Sequence, residues 1–223
     1  MENYKKNLEL LTKNHVYSKE MEHDACGVGL IASTEGKKSR AIVEYGIEAL
    51  KAVWHRGAVD ADGKTGDGAG IHVEIPKDFF IEKIQVTGHD YDNSEICVGM
   101  IFLPRNDYSA QESCKTIVES ELTKNNFSIY GWRQVPVNPK ILGEKALQTM
   151  PEITQVLFKS NDPNLLDKNL ERKIYEIRKR IENKAFNASL NNFYICSISS
   201  KSIIYKGLYL AEAISDFYLD LKD

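Results

Sequence analysis

The amino-acid sequence predicts an α+β protein in which at least part of the sheet is antiparallel. Three observations carry that prediction. Short apolar runs stop at a proline or at a cluster of turn residues, as strands do. Elsewhere apolar residues recur every three or four positions, the period of a helix with one buried side. Near the end, "NFYICSIS" (Asn192 to Ser199) and "SIIYKG" (Ser202 to Gly207) are separated only by Ser200 and Lys201, the spacing of an antiparallel hairpin.

The elements follow in order. After a polar leader, "CGVGLIA" from Cys26 to Ala32 reads as a strand closed by Ser33, Thr34, Glu35 and Gly36. Val43, Ile47, Leu50 and Trp54 form the stripe of a helix that ends near Gly57. "GAGIHVEIP" (Gly68 to Pro76) and "ICVGMIFLP" (Ile96 to Pro104) are strands that stop where proline cannot donate to the next rung. Ser109 and Glu112 have the spacing of a capping box, and Cys114, Ile117, Val118 and Leu122 supply the buried side of the helix behind it. "FSIYGWRQVPV" (Phe127 to Val137) and "QVLFKS" (Gln155 to Ser160) are further strands. Leu166, Leu170, Ile174, Ile177 and Ile181 mark a long helix with a basic outer side.

Composition narrows the function classes. The chain has 223 residues, 42% hydrophobic and 27% charged, enough for one good core and an ordinary soluble surface. Its 29 basic and 32 acidic residues are spread evenly, so no field of one sign points to nucleic acid or to an anionic membrane surface. In the first 25 residues only Leu8, Leu10 and Leu11 cluster, too few for a signal-peptide core or a bilayer span, and a cytoplasmic protein is expected. Cys26, Cys97, Cys114 and Cys196 lie far apart, without a C-x-x-C pair or a histidine at ligand spacing. Neither a disulfide framework nor a metal site is expected.

The stretch "HRGAVDADGKTGDGAG" (His55 to Gly70) holds five glycines. Its "DGKT" has the ending of a phosphate-binding loop, but the required earlier glycine falls on Ala58, and Asp60, Asp62 and Asp67 would repel a polyphosphate. A calcium loop counted from Asp60 puts Thr65 at the turn glycine and Ile71 at the bidentate glutamate, so it fails too. A glycine-rich connection between helix and strand accounts for the composition by itself.

Cys26 adds chemistry. A thiol attacks only as thiolate, and a free cysteine near pKa 8.5 needs a neighbouring base. If the chain were cut before Cys26, the new α-amino group, with a pKa of roughly 7.7 to 8, could take the thiol proton and deliver it to a leaving amine. Residues 1–25 would then be a propeptide. Gly27 and Gly29 would let a substrate reach the main chain unobstructed. A buried structural cysteine at a strand start is the competing account of C-G-x-G taken alone.

The longer pattern resembles the class II glutamine amidotransferases, and among them the large subunit of glutamate synthase. "DACGVGLIA", "HRGAVDADGKTGDGAGI", "IPKDFF", "LPRNDYSAQESC", "GWRQVPV", "LGEKALQTMPEITQV", "LERKIYEIRK", "YICSISSKSIIYKGLYLAE" and "FYLDLKD" look like successive landmarks of its N-terminal domain. The resemblance implies that residues 26–223 are the first part of that amidotransferase domain, with the four-layer αββα sandwich of the N-terminal-nucleophile hydrolases, incomplete at its C-terminal end. It implies Cys26 as nucleophile and L-glutamine as substrate. His55, Arg56 and Gly57 match the family's H-R-G motif, in which Arg56 would steady the nucleophilic terminus; Gly27 would adjoin the pocket. A guanidinium beside the thiol would also lower its pKa. The family's H-Q-R-Y-S-T-N-T motif, which receives the glutamine carboxylate, and its H-N-G-E-I-N motif, which supplies the oxyanion hole, do not occur in these 223 residues. The same holds for the region that carries FMN and an iron–sulfur cluster and meets the reduced electron donor, so no cofactor is expected in this segment. The remainder of the large subunit is the expected partner, with a small subunit as a further candidate. Three readings stay open: a segment of glutamate synthase, weakly active or inactive by itself; a non-catalytic remnant or interaction module; and a nucleotide-binding protein that uses the glycine loop.

Overall fold

The structure, a computed structural model, describes residues 2–14, 27–54 and 57–222. Its centre is a four-stranded antiparallel sheet in the order β3-β4-β2-β5, from β2 (Cys97–Leu103), β3 (Phe127–Gln134), β4 (Glu152–Ser160) and β5 (Tyr194–Ser199). β2 reads as a near-continuous apolar run, and six of the nine residues of β4 are buried, because both sides of these strands are covered. On one side Ile101, Leu103, Val156 and Phe158 meet Cys114, Val118 and Leu122 of α4 (Tyr108–Lys124) and Leu170, Ile174, Ile177 and Ile181 of α6 (Asp167–Asn187).

On the other side Val98, Met100, Tyr130 and Leu157 pack in a second core with Ile203 and Tyr205 of β6 (Ser202–Gly207), Phe80 and Ile84 of α3 (Lys77–Val86), and Tyr209, Phe217 and Tyr218. β6 pairs with β1 (Ala69–Glu74) in a separate two-stranded antiparallel sheet, from Ala69 opposite Gly207 to Glu74 opposite Ser202. β1 alternates half-buried and exposed residues, the pattern of a strand with one side in the core. Helix α2 (Arg40–Ala52) turns Val43, Ile47 and Leu50 into this same core. A buried ion pair ties the chain end to the sheet: Arg133 on β3 donates twice to Asp220, at 2.8 and 2.9 Å, and once to Gln155 on β4. The class is therefore mixed α and β with antiparallel sheets.

Four expectations need correction. Residues 27–32 form no strand; Val28 and Leu30 are each 89% exposed, because no described strand lies alongside to pair with them. Cys26 lies outside the described residues. The predicted hairpin of β5 and β6 is a chain reversal between two different sheets. Its turn is held by side chains: Ser199 Oγ accepts the Lys201 and Ser202 N–H groups, while Ser199, Ser200 N and Ser200 Oγ all donate to Glu171. Helix α4 starts earlier than the capping box suggested, with Asp107 accepting from Ala110 N at 2.9 Å, so Ser109 is already inside it. A carboxylate facing the positive helix end serves better there than a hydroxyl. Finally, Trp54 is 65% exposed, two residues beyond the end of α2 and off its buried stripe. Three further helices, α1 (Glu2–Asn14), α5 (Glu144–Thr149) and α7 (Ile214–Phe217), and α3 itself, were not anticipated.

Candidate functional site

Of the residues singled out by sequence, Gly27 and Gly57 are described; Cys26, His55 and Arg56 lie outside the described residues. Gly27 is exposed. Two positions on, a Cβ at Gly29 would stand 3.9 Å from that of Ala49, so this segment runs against the C-terminal half of α2. That helix leads into Trp54 and then to Gly57, whose N–H donates to Trp54 O at 3.0 Å. The C-terminal half of α2 is thus the element that Gly29 packs against and that leads on to Gly57.

From Ala58 to Asp67 the chain makes a tight hairpin. Asp60 N donates to Thr65 O at 2.9 Å, Gly63 N to Asp60 O at 2.9 Å and Asp67 N to Ala58 O at 3.2 Å, with Val59 bridged to Gly66. Asp62 organises its tip. One carboxylate oxygen accepts Lys64 N at 2.9 Å and Thr65 N at 2.7 Å, and the other accepts the Thr65 hydroxyl at 2.5 Å. Those donors, the Thr65 hydroxyl foremost, hold the Asp62 carboxyl well below the usual carboxylate range. Asp60 is held down by Lys145, whose Nζ stands 2.6 Å from Asp60 Oδ2. The N–H groups of Gly63, Lys64, Thr65 and Asp67 are all spent on the loop itself, so they form no cradle for phosphate. This geometry removes the nucleotide reading.

Two supports clasp the hairpin. On one side Gly66 lies so close to the main chain of Tyr209 that a Cβ would stand 2.5 Å from its carbonyl oxygen. On the other, Gly143 packs against Asp62 and Thr65 with no space for a side chain. Gly143 precedes α5 and offers no side-chain cap; Thr65 Oγ1 stands 3.5 Å from Ala146 N and accepts from it instead. Thr65, Gly143, Lys145 and Tyr209 were not found from sequence. Asp62 and Thr65 carry a local turn signal, but no pattern near Gly143 announces a contact with a loop so far upstream.

The other thiols are unsuited to attack. Burial pushes the Cys97 thiol far up, and raises Cys114 and Cys196 each to about 11, so all three stay protonated at neutral pH. Among the described residues no group of three or more His, Cys, Asp or Glu could hold a metal ion, and no helix is long and apolar enough to cross a membrane.

Residues 26–223 match the family model of the class-II glutamine amidotransferases. Over 220 residues the chain is 53% identical to the glutamate synthase [NADPH] large chain of Azospirillum brasilense, a match that covers 99% of this chain and 14% of that one. It is 40% identical to ferredoxin-dependent glutamate synthase 1, chloroplastic/mitochondrial, of Arabidopsis thaliana, across 91% of this chain and 12% of the relative. For the ferredoxin-dependent glutamate synthase of Pyropia yezoensis the identity is 39%, across 95% and 14%. The chain thus spans 12% to 14% of the length of these relatives.

Proposed function

The chain belongs to the class-II glutamine amidotransferases, and from that membership we propose that it performs the glutamine-hydrolysing half-reaction of a glutamate synthase with Cys26 as nucleophile. The observation that carries this reading is where the family match begins: at residue 26, the cysteine itself. Removal of residues 1–25 gives Cys26 a free α-amine that takes the thiol proton. The thiolate attacks the side-chain amide of L-glutamine, the amine-borne proton passes to the leaving nitrogen, and ammonia departs from a γ-glutamyl thioester. Water then attacks the thioester, giving glutamate and the free thiol. Arg56 steadies the nucleophilic terminus, with His55 and Gly57 completing its motif, and Gly27 keeps the approach to the main chain open. The inert state of Cys97, Cys114 and Cys196 supports the choice of Cys26.

The same reading makes residues 26–223 part of a four-layer αββα sandwich of the N-terminal-nucleophile kind. It is supported by helices α4 and α6 on one side of the four-stranded sheet and a second sheet on the other. FMN, the iron–sulfur cluster and the reduced electron donor belong to other parts of the enzyme, the remainder of the large subunit is the partner, and the compartment is the cytoplasm. Residues 1–223 alone hydrolyse glutamine at background rate, since neither the carboxylate clamp nor the oxyanion motif of the family is among them, and one oxyanion donor alone is worth about 10²- to 10³-fold.

The test is direct. Active protein carries Cys26 as its N-terminus by intact mass, a diazoketone analogue of glutamine labels Cys26 and no other thiol, and Cys26→Ala abolishes glutamine-dependent activity. Met1 or Glu2 as the only N-terminus of active protein would sink the processing step; full activity of Cys26→Ala would sink the whole reading. The exposed Val28 and Leu30 favour a second reading, a non-catalytic docking module, which predicts no labelling at Cys26 in any context.

A further inference from the structure

The hydrogen bonds of the 58–67 hairpin point to a role for a residue far from the nucleophile in the sequence. We propose that Asp62 is a positioning residue for the glutamine site, acting as the pin of a latch between the hairpin tip and the first turn of α5. The proposal rests on the glutamine-hydrolase reading above and adds residues to it.

Five glycines in sixteen residues leave the chain free to sample many conformations, which is unfavourable for a wall that must hold a substrate to within a fraction of an ångström. The structure removes that freedom at the tip. Asp62 accepts three donors from Lys64 and Thr65, and its Oδ2 lies hard against the place where a Gly143 Cβ would stand, at the residue that leads into α5. Ala146 N faces Thr65 Oγ1, and Lys145 reaches back to Asp60. A helix too short to be stable in isolation is thereby capped by the loop, and the loop is fixed by the helix. Behind α5, Leu142 and Ala146 are buried in the second core, so the latch is anchored to the interior. The other arm is pressed onto Tyr209 at Gly66.

The hairpin's foot adjoins the H-R-G motif directly: Asp67 N donates to Ala58 O, and Asp67 Oδ1 stands 3.4 Å from where a Gly57 Cβ would be. A tip held at Asp62 therefore limits the swing of the foot at Gly57. Thr65 and Gly143 are part of the same latch; Lys145 is its outer and more exposed tie.

The experiment uses the full-length protein that carries this chain and compares two alkylators of Cys26. The diazoketone analogue of glutamine needs a formed pocket, whereas iodoacetamide needs only a reactive thiol. In Asp62→Ala the analogue labels Cys26 about tenfold more slowly, iodoacetamide labels it within about twofold of the parent rate, and the KM for glutamine rises more than kcat falls, as misplacement of a substrate-holding wall requires. Hydrogen exchange quickens at the Thr65 and Ala146 amides. Asp62→Asn, which keeps one acceptor for the Lys64 and Thr65 amides, recovers part of the loss. Gly143→Ala, which drives a methyl into the latch from the other side, reproduces it. Unchanged analogue labelling in Asp62→Ala with exchange already raised at Thr65 overturns the proposal. An equal loss with both alkylators also overturns it, by placing the effect on the thiol. If the parent protein is not labelled by the analogue, the glutamine-hydrolase reading has failed. Should Asp62→Ala not fold, Lys145→Ala gives a smaller slowing in the same direction, and no slowing there counts against the latch.

Discussion

The two sides of the four-stranded sheet are built differently. Against α4 and α6, the apolar side chains of β2 and β4 are almost wholly excluded from water, and the helices add buried residues at every turn. On the side of β1 and β6 the second sheet has two strands, β1 buries only alternate residues, and the segment from Gly27 to Ala32 carries exposed Val28 and Leu30. The helix-covered side is held by apolar packing against two long helices, whereas the other side adds to its own apolar core several hydrogen bonds, one buried ion pair and close main-chain contacts. Packing resists displacement from all directions; hydrogen bonds fix only the groups they join.

Mutations can break or sharpen that contrast. The largest effect is expected at Phe158, fully buried between β4 and the helices: Phe158→Ala should cost about 4 kcal/mol in denaturant unfolding, since a cavity forms where neighbours cannot collapse. Next is Arg133→Ala. The Arg133 and Asp220 side chains are 13% and 4% exposed, so loss of the guanidinium leaves a buried carboxylate without its partner and should cost about 3 kcal/mol by the same measurement. Gly66→Ala, where a methyl meets the Tyr209 carbonyl, should cost about 1 to 2 kcal/mol and shift the hairpin amide resonances selectively.

Acid should act on the hairpin more than on the helix-covered core. Asp62 and Asp60 have folded-state values below the ordinary carboxyl value, so their contribution is present above about pH 4 and is lost as pH falls toward the folded values. Hydrogen exchange at Thr65, corrected for intrinsic rates, should therefore accelerate on going from pH 5 to pH 3, while Ile177 keeps its protection. The smallest effect is expected at Leu30→Ser, within about 0.5 kcal/mol of the parent, because an exposed side chain has little burial to lose. A cost as large as that of Phe158→Ala would show that Leu30 is covered in solution.

Sequence reading found what is local and periodic. β2 and most of the stripe of α6 were legible because a strand buried on both sides and a helix buried on one leave clear patterns; Leu166, counted in that stripe, precedes the helix and is 53% exposed. Pairing was not. Ser200 and Lys201 have hairpin spacing, yet Ser197 Oγ takes the Ile204 N–H and β6 goes to β1, a choice made by side-chain acceptors that spacing does not encode. "CGVGLIA" has strand composition, but composition specifies a strand only where a neighbour can complete its ladder. At the candidate site, resemblance singled out Cys26, Arg56 and Gly57, of which only Gly57 is among the described residues. The clasp of Gly66 and Gly143 was not legible, since both are glycines whose partners lie far along the chain.

The pairing of β1 with β6 has a consequence for synthesis. β1 joins no other described strand, and its partner β6 is the last of the described strands in chain order. On a ribosome that adds about 5–20 residues per second, residues 69–74 emerge on the order of ten seconds before residues 202–207. Throughout that interval an apolar β1 has open edges, at the stage when nascent chains meet chaperones and one another. The four-stranded sheet lacks only β5 by then, so translation of residues 194–207 completes both sheets almost together. A nascent chain stalled before Ser202 should keep fast amide exchange along β1 while β2 and β4 are already protected.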